Sequence, residues 1–273
     1  MSESALRALA RASSAAPSVS LAHVMAYAPL PARFDRTYLV PATTFVDFFA
    51  HLTEPRGREY FRALTIGGRR CFGYHSVYYD TPALHIYRDH QQGRRQRFTV
   101  RERHYQDSGE REFQVRLKGS RGETVMHRTP LSASGPALGV GARHFLADTL
   151  RSAYGIDPPE GLVPALVTEY QRVTLVAEGQ RVTCDAGLVC RTVAGTGSAV
   201  RGDDDLVLVG TRSTAHLTDV DRLLHDYGIR AAEFTPYAVL AVLWPTLVGN
   251  RWQRALGQTF PSPPEHFPAW MVR

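Results

Sequence analysis

The sequence predicts an α+β domain dominated by antiparallel β-structure, and three features of its 273 residues support this prediction. Polar and apolar residues alternate in several long stretches, as in strands with one buried face. Turn sequences separate consecutive stretches, which is the pattern of β-hairpins. With 44% hydrophobic residues, the chain can bury a substantial core. All-β domains of about 200 to 250 residues commonly fold as one unit.

The first part of the predicted domain alternates strands with short helices. Residues 33–40 alternate polar and apolar side chains, and residues 44–52 follow as a helix. Residues 71–79 form a β-branched and aromatic strand. The turn sequence Asp80-Thr81-Pro82 ends that strand before a short helix at 84–90.

The next stretch predicts two successive hairpins, and so an antiparallel meander. Strands at 97–105 and 112–118 are joined by a turn at 107–109, and a third strand begins at residue 123. Successive side chains of a strand point to opposite faces, so every second residue shares a face. On the first strand that face carries Arg97, Thr99, Arg101 and Arg103, and on the second it carries Gln114, Arg116 and Lys118.

The second half of the chain continues with both kinds of element. The predicted order is a helix at 142–154, strands at 166–177 and 180–190, a polar mobile loop at 195–205, a strand at 206–209, and helices at 217–227 and 237–247. Three regions follow from this pattern: a mobile or helical leader at 1–30, one domain at 31–260, and a Pro-rich tail at 261–273.

A strand face rich in arginine has two interpretations. On an open sheet it is the solvated side. Inside a closed barrel it is a basic lumen, which requires an anionic ligand, paired carboxylates or water. Alternation alone leaves both interpretations open.

The charge of the chain indicates an anionic partner. Its formal net charge is +6 with a pI near 9.4, and Lys118 is the only lysine. Guanidinium groups suit bidentate contacts to phosphate. The three cysteines show no metal-ligand spacing and favour a cytoplasmic location, and no apolar run is long enough to predict a membrane span.

Taken in order, these stretches resemble the VTC-type polyphosphate polymerase domain of the CYTH-like, triphosphate tunnel superfamily. The resemblance runs from Arg33 to Phe260. Besides the first strand and the meander, it rests on segments 76–84 (SVYYDTPAL), 170–175, 181–185, 206–213 and 250–252. It implies a closed antiparallel eight-stranded β-barrel with peripheral helices. The lumen of this barrel is expected to bind a triphosphate.

The resemblance also implies roles for individual residues. The expected phosphate-binding residues are Arg33, Arg97, Arg101, Arg103, Arg116, Lys118, Arg128, Arg172 and Arg212. The expected ligands of Mg²⁺ or Mn²⁺ are Asp35, Asp185 and Glu233. Glu102 should point away from the arginines as a structural ion-pair partner.

Six lumen positions depart from the family pattern. Thr37, Thr99, Met126 and Pro236 stand where the family has lysines, and Gln114 and Gly210 stand where it has glutamates. A hard cation prefers carboxylate ligands, and glycine offers no side-chain ligand. The sequence therefore puts the metal site in doubt.

These changes leave three functional hypotheses. In the first, a diverged tunnel protein binds a phosphorylated small molecule, a nucleotide or polyphosphate through its arginines, without standard polymerisation. In the second, the less polar lumen acts on a diphosphate substrate such as an isoprenyl diphosphate. In the third, the chain is still a metal-dependent polyphosphate polymerase that uses a nucleotide. Nucleic acid is not expected as a partner, because arginines inside a barrel are poorly placed to contact a duplex.

Overall fold

An eight-stranded antiparallel barrel forms the centre of the computed structural model, which describes residues 4–55, 60–193, 197–244 and 246–266. The barrel strands, in chain order, are β1 (Ala32–Pro41), β2 (Cys71–Asp80), β3 (Phe98–Tyr105), β4 (Arg111–Lys118), β5 (Thr124–Leu131), β6 (Val163–Ala177), β7 (Gln180–Thr192) and β8 (Leu206–Ser213).

The barrel is closed, as predicted. Its strands pair in the spatial order β6-β2-β3-β4-β5-β1-β8-β7, and β7 pairs back to β6. All eight pairings are antiparallel. The meander β2–β5 is formed by neighbouring strands, whereas the pairing of β1 with β5 joins distant parts of the chain. Closure leaves each of these strands paired on both sides, which removes the sheet edges.

Short strands extend the sheet beyond the barrel. Arg62–Leu64 pairs antiparallel with β6. Ser18–Val19 in turn pairs parallel with Arg62–Leu64. Ser198–Arg201 pairs antiparallel with β7 and in turn pairs with Glu265–His266. The prediction of a mobile loop at 195–205 is therefore wrong over Ser198–Arg201, because the end of β7 runs past the barrel and offers its backbone groups to a partner. Residues 194–196 lie outside the described residues.

Helices surround the barrel. They are α1 (Ala5–Ala15), α2 (Leu21–Tyr27), α3 (Ala42–Thr53), α4 (His85–Gln91), α5 (Val140–Tyr154), α6 (Asp219–Asp226), α7 (Leu240–Leu243) and α8 (Gln253–Thr259). The predicted helix at 237–247 is instead a 3₁₀ turn, Pro236–Val239, followed by the short α7. It ends early because Trp244 is extended. Within the described residues, no helix is long and apolar enough to span a membrane.

The hydrophobic core lies mainly between the barrel wall and the helices. Phe113 on β4 shares one buried cluster with Leu146 and Leu150 of α5. The residues of α1 and α3 form a second cluster with outward-facing residues of β1, β7 and β8, such as Val40 and Val209. Because the apolar side chains of these strands face outward into this core, their inward faces are free to carry polar residues. The proposed boundary between a leader and the domain stays a prediction, although α1 packs in the second cluster.

A buried carboxylate connects β2 to α4. Asp80 accepts hydrogen bonds from the backbone N–H groups of Thr81, Ile86 and Tyr87 at 2.7–2.9 Å. Burial raises the pKa of Asp80, and these backbone donors act in the opposite direction. The hydrogen bonds of Asp80 thus fix the position of the first residues of α4. His90, near the end of α4, lines the lumen.

Candidate functional site

The barrel lumen encloses a cavity of about 450 Å³ to which all eight strands contribute. Ten of the lining residues are arginine or lysine, and three are acidic. The ten are Arg33, Arg36, Arg97, Arg101, Arg103, Arg116, Lys118, Arg172, Arg212 and Arg251. The basic strand face is therefore on the inside of the barrel and not on a solvated outer surface.

The structure brings together most of the residues expected at the site. Eight of the nine expected phosphate-binding residues line the cavity, as do Asp35, Asp185 and Glu233. Arg128 does not: it is exposed, and its nearest acid is Glu112 at 4.0 Å. Five of the six altered positions also line the cavity, namely Thr37, Thr99, Met126, Gly210 and Pro236.

One group of lumen arginines is neutralised by carboxylates. Asp35 lies 2.9 Å from Nε of Arg33, 2.7 Å from an Nη atom of Arg116 and 3.6 Å from Nε of Arg212. Burial alone would raise the pKa of Asp35, but Arg116, Arg33 and Arg212 outweigh it and lower that pKa to about 2. Asp35 is therefore ionised and committed to its guanidinium partners.

A second acid belongs to the same group. Asp185 on β7 accepts two hydrogen bonds of 2.6 Å from Arg172 on the neighbouring β6, in a bidentate pair. Burial disfavours the charge on Arg172, but Asp185 outweighs this and the pKa of Arg172 is raised. Its guanidinium also lies over the rings of Tyr74 and Tyr170, at 4.9 and 5.0 Å. We call Arg33, Asp35, Arg116, Arg172 and Asp185 the paired cluster.

Arg101 and Arg103 on β3 have a different environment. Arg101 donates to the side-chain oxygen of Gln114 at 2.8 Å and to the hydroxyl of Tyr78 at 3.0 Å. Arg103 donates to the hydroxyl groups of Ser76 (3.3 Å) and Tyr170 (2.7 Å). We call these six residues the unpaired cluster.

The carboxylate of Glu112, which stands in register opposite Arg103, accepts hydrogen bonds from the Gln114 amide at 2.6 Å and the Tyr105 hydroxyl at 2.8 Å. Among the described residues, no acidic side chain forms an ion pair with Arg101 or Arg103 within 4.0 Å. Burial, together with the neighbouring Arg103, lowers the pKa of Arg101. Gln114 explains the difference, because a glutamate at this position would place an acid where an amide oxygen now accepts the hydrogen bond from Arg101.

A buried hydroxyl next to this cluster also lacks a partner. Thr168 on β6 lines the cavity, and its Oγ1 atom has no hydrogen-bond partner in the described part of the chain. Ser76 pairs in register with Thr168 on one side and with Arg103 on the other. Buried polar atoms are nearly always hydrogen-bonded, so this hydroxyl is available to a group that enters the cavity.

One part of the lumen wall is apolar. Along β7 the inward-facing residues change from Thr183 and Asp185 to Leu188 and Cys190. The inward-facing positions thus change from odd-numbered to even-numbered residues along β7. This happens where the register with β6 is irregular and where Gly187 has a φ of 66°. Together with Leu208, Phe234, Val239 and Trp252, these residues give the cavity an apolar side.

Comparison with protein-family models decides the family. The model of the VTC domain matches residues 32–257. The chain belongs to the VTC domain family. Comparison with curated protein sequences gives no match.

Solved structures that align over most of this chain share little sequence identity with it. A candidate adenylate cyclase from Vibrio parahaemolyticus is 13% identical with a TM-score of 0.38, covering 88% of this chain and 96% of its own. The PH1012 protein from Pyrococcus horikoshii is 10% identical with a TM-score of 0.40, covering 75% and 97%. The candidate adenylyl cyclase HpAC1 from Hippeastrum, described as having a dominant triphosphatase activity, is 12% identical with a TM-score of 0.37, covering 76% of this chain and 94% of its own.

The acids of this VTC domain do not fit a divalent cation. Asp35 and Asp185 are committed to arginines, and Glu233 is largely exposed and lies 3.0 Å from Nε of Arg251. Among the described residues, no three acidic, histidine or cysteine side chains are grouped to hold a metal ion. At Gly210, an added Cβ would lie 2.8 Å from Oγ1 of Thr183. The donor set is therefore incomplete, and a larger side chain at 210 would require Thr183 to move.

Sequence reasoning missed several residues of the site. Tyr78, Thr168, Tyr170 and His90 line the cavity without having been assigned to it. Alternation along β2 could have identified Ser76 and Tyr78, because they share the face of Tyr74. His90 comes from a helix, so no strand pattern marks it. Its Nε2 donates to the carbonyl of Phe98 at 2.9 Å, and burial lowers its pKa to about 4, so it is neutral near pH 7.

As expected, Glu102 lies outside the lumen. It forms an ion pair with Arg111 of β4, at 2.5 Å.

Proposed function

We propose that this VTC domain binds a phosphorylated anion in its lumen, through Arg101 and Arg103, and is not a standard polyphosphate polymerase. The observation that carries the proposal is the unpaired cluster, where two buried guanidinium groups have only neutral acceptors. A buried charge without a counterion is costly, and the phosphate oxygens of a ligand would supply the missing negative charge. Guanidinium groups also match phosphate in geometry.

The surroundings of the cluster support a ligand with several negative charges. Lys118 and Arg97 line the same cavity, and for both of them burial is the first cause of a lowered pKa. An anion would favour their charged forms. The orphan hydroxyl of Thr168 adds a hydrogen-bond donor for a phosphate oxygen. The ligand classes that fit are a phosphorylated small molecule, a nucleotide and short polyphosphate.

Polymerisation from a nucleotide is less well supported. In the family this chemistry is expected to use a divalent cation, and here the two lumen aspartates already neutralise arginines. Anion binding by this chain should therefore not depend on Mg²⁺ or Mn²⁺.

A second candidate function is the binding or conversion of a diphosphate joined to an apolar group, such as an isoprenyl diphosphate. The apolar wall at Leu188, Cys190, Leu208 and Val239 favours it, because it faces the same cavity as the arginines. The diphosphate would lie on the guanidinium groups and the apolar group against this wall.

Calorimetric titration with inorganic tripolyphosphate tests the proposal. Each lost hydrogen bond to a charged group costs about 1.5–3 kcal/mol, so the Arg101→Gln/Arg103→Gln variant should raise the Kd by at least about 100-fold. Arg191→Gln is the matched control, since Arg191 is on β7 but pairs with Glu169 outside the cavity. An unchanged Kd in the double variant would contradict the proposal.

The same assay separates the alternatives. Consumption of ATP that requires Mn²⁺ would favour the polymerase. Binding of geranyl diphosphate that is tighter than binding of inorganic diphosphate would favour the apolar ligand class. We place the protein in a reducing cytoplasm, which suits the free cysteines Cys71, Cys184 and Cys190, so the assays should contain a thiol reductant.

A further inference from the structure

The hydroxyl group of Tyr78 lies in the lumen, where it accepts a hydrogen bond and can still donate one. Its oxygen accepts a hydrogen bond from Arg101 at 3.0 Å. Within the described parts of the chain, no acceptor takes the hydroxyl hydrogen, although the side chain is almost fully buried and lines the cavity. A phenol that accepts from a guanidinium group becomes a better proton donor, because its anion is stabilised.

The ring of Tyr78 is fixed by its neighbours. The ring of Tyr237 meets it edge to face, with centroids 5.7 Å apart, and the Tyr237 hydroxyl donates to the carbonyl of Tyr79 at 2.5 Å. Arg101 lies 5.7 Å from the centroid of the Tyr78 ring. The hydroxyl is therefore held beside the unpaired cluster by packing and not only by one hydrogen bond.

The electrostatics agree with this geometry. Burial alone would raise the pKa of Tyr78, but Arg101 and Arg103 outweigh it and lower that pKa. The outward-facing Tyr79 shows the opposite: burial and the neighbouring Glu102 raise its pKa. Two adjacent tyrosines of one strand thus differ in acidity because they face opposite sides of the barrel wall.

We propose that Tyr78 is a catalytic residue, the general acid that protonates the leaving oxygen of a phosphate ester bound on Arg101 and Arg103. This rests on the proposed anion binding and adds a hydrolytic activity to it. Water attacks phosphorus, and the bond between phosphorus and the leaving oxygen breaks. The leaving oxygen takes the proton of Tyr78, and the tyrosinate that remains is stabilised by the two guanidinium groups. The attacking water releases one proton, which restores the phenol through solvent.

Leaving-group dependence tests this role. Phenyl phosphate needs a proton on its leaving oxygen far more than 4-nitrophenyl phosphate does. General acids contribute about 100-fold or more, so Tyr78→Phe should lower kcat for phenyl phosphate by about 100-fold and for 4-nitrophenyl phosphate by less than about 10-fold. Tyr79→Phe is the matched control, since its hydroxyl contacts Glu102 outside the lumen. It should leave both rates unchanged.

The outcomes separate this proposal from anion binding itself. Equal losses on both esters, or no loss on either, would overturn Tyr78 as the acid. So would a wild-type protein that binds tripolyphosphate but hydrolyses neither ester, and in that case anion binding would still stand. A wild-type protein that does not bind tripolyphosphate would overturn both proposals. Titration of Tyr78→Phe with tripolyphosphate shows that the variant is folded if its Kd stays within about 100-fold of wild type, the largest loss expected for one hydrogen bond to a charged group.

Discussion

The paired and unpaired clusters use the same kind of residue, arginine on strands of one barrel, for different purposes. In the paired cluster, Asp35 and Asp185 neutralise Arg33, Arg116 and Arg172. In the unpaired cluster, the arginines meet only an amide oxygen and hydroxyl groups. The difference teaches that lumen arginines need not share a role, because the role depends on whether a carboxylate lies within ion-pair distance of the guanidinium group.

This comparison changes the meaning of the altered family positions. Replacing an acid by Gln114 removes a counterion from Arg101. Replacing another by Gly210 leaves no side chain between Thr37 and Thr183, its partners in register, and the Thr183 hydroxyl occupies the space beside Gly210. The arginines near these positions keep their charge while the acids are gone. Such a lumen suits an anion better than a cation.

The sharpest test is to remove an acid from the paired cluster. Asp185→Asn leaves Arg172 buried without its counterion, which should lower the free energy of unfolding by about 3–5 kcal/mol. Urea denaturation measures it. Glu169→Gln is the control, because Glu169 pairs with Arg191 near the surface and should matter by less than about 1 kcal/mol. If Asp185→Asn is as stable as wild type, Arg172 does not depend on Asp185.

Acid should weaken the paired cluster through Asp35. Its pKa is about 2 in the folded protein and ordinarily 3.8. Because the folded pKa is the lower one, the stabilisation is complete above pH 3.8 and is lost as the pH falls through 2. A shift of this size corresponds to about 2 kcal/mol.

The contribution of Asp35 can be isolated by comparison with Asp35→Asn. We expect the difference in unfolding free energy between wild type and this variant to shrink by about 2 kcal/mol when the pH is lowered from 5 to 2. A difference that stays constant over this range would show that Asp35 does not titrate as described.

Adding an acid beside the clusters should reduce anion binding. In Gly210→Glu, the new Cβ lies 3.8 Å from an Nη atom of Arg212, so the carboxylate would pair with an arginine of the lumen. We expect the Kd for tripolyphosphate to rise about 10-fold, the effect of one added repulsive charge of about 1.4 kcal/mol. Gly210→Gln is the control for side-chain size. Tighter binding by Gly210→Glu in the presence of Mn²⁺ would instead indicate a restored metal site.

Removing a cation from the unpaired cluster should have the smallest effect on stability. Arg101→Met replaces a buried charge without a counterion by an apolar side chain, so the free energy of unfolding without ligand should change by less than about 1 kcal/mol or increase. Thermal unfolding with and without tripolyphosphate measures this, and the ligand should stabilise wild type more than the variant. A loss of several kcal/mol without ligand would show that Arg101 is structural.

Much of the fold could be predicted from the sequence, because polar and apolar residues alternate along a strand whose two faces have different environments. The meander β2–β5 and the helices α3, α4 and α5 lie within a few residues of their predicted bounds. The strand Ser198–Arg201 was missed because it is short and lies between glycines in a polar stretch typical of a loop, and only pairing with β7 makes it a strand.

The sequence by itself determined the strands and their arginine-rich faces and, through its resemblance to a known family, the closed barrel. Only the tertiary structure decided which arginines are neutralised, because an ion pair depends on which side chains come within reach of one another in the closed barrel. Asp185 meets Arg172 by register, whereas Arg101 meets Gln114. The structure also decided where the lumen becomes apolar, since the irregularity near Gly187 reverses the alternation along β7. Alternation follows from the geometry of one strand, but register and bulges follow from the packing of several.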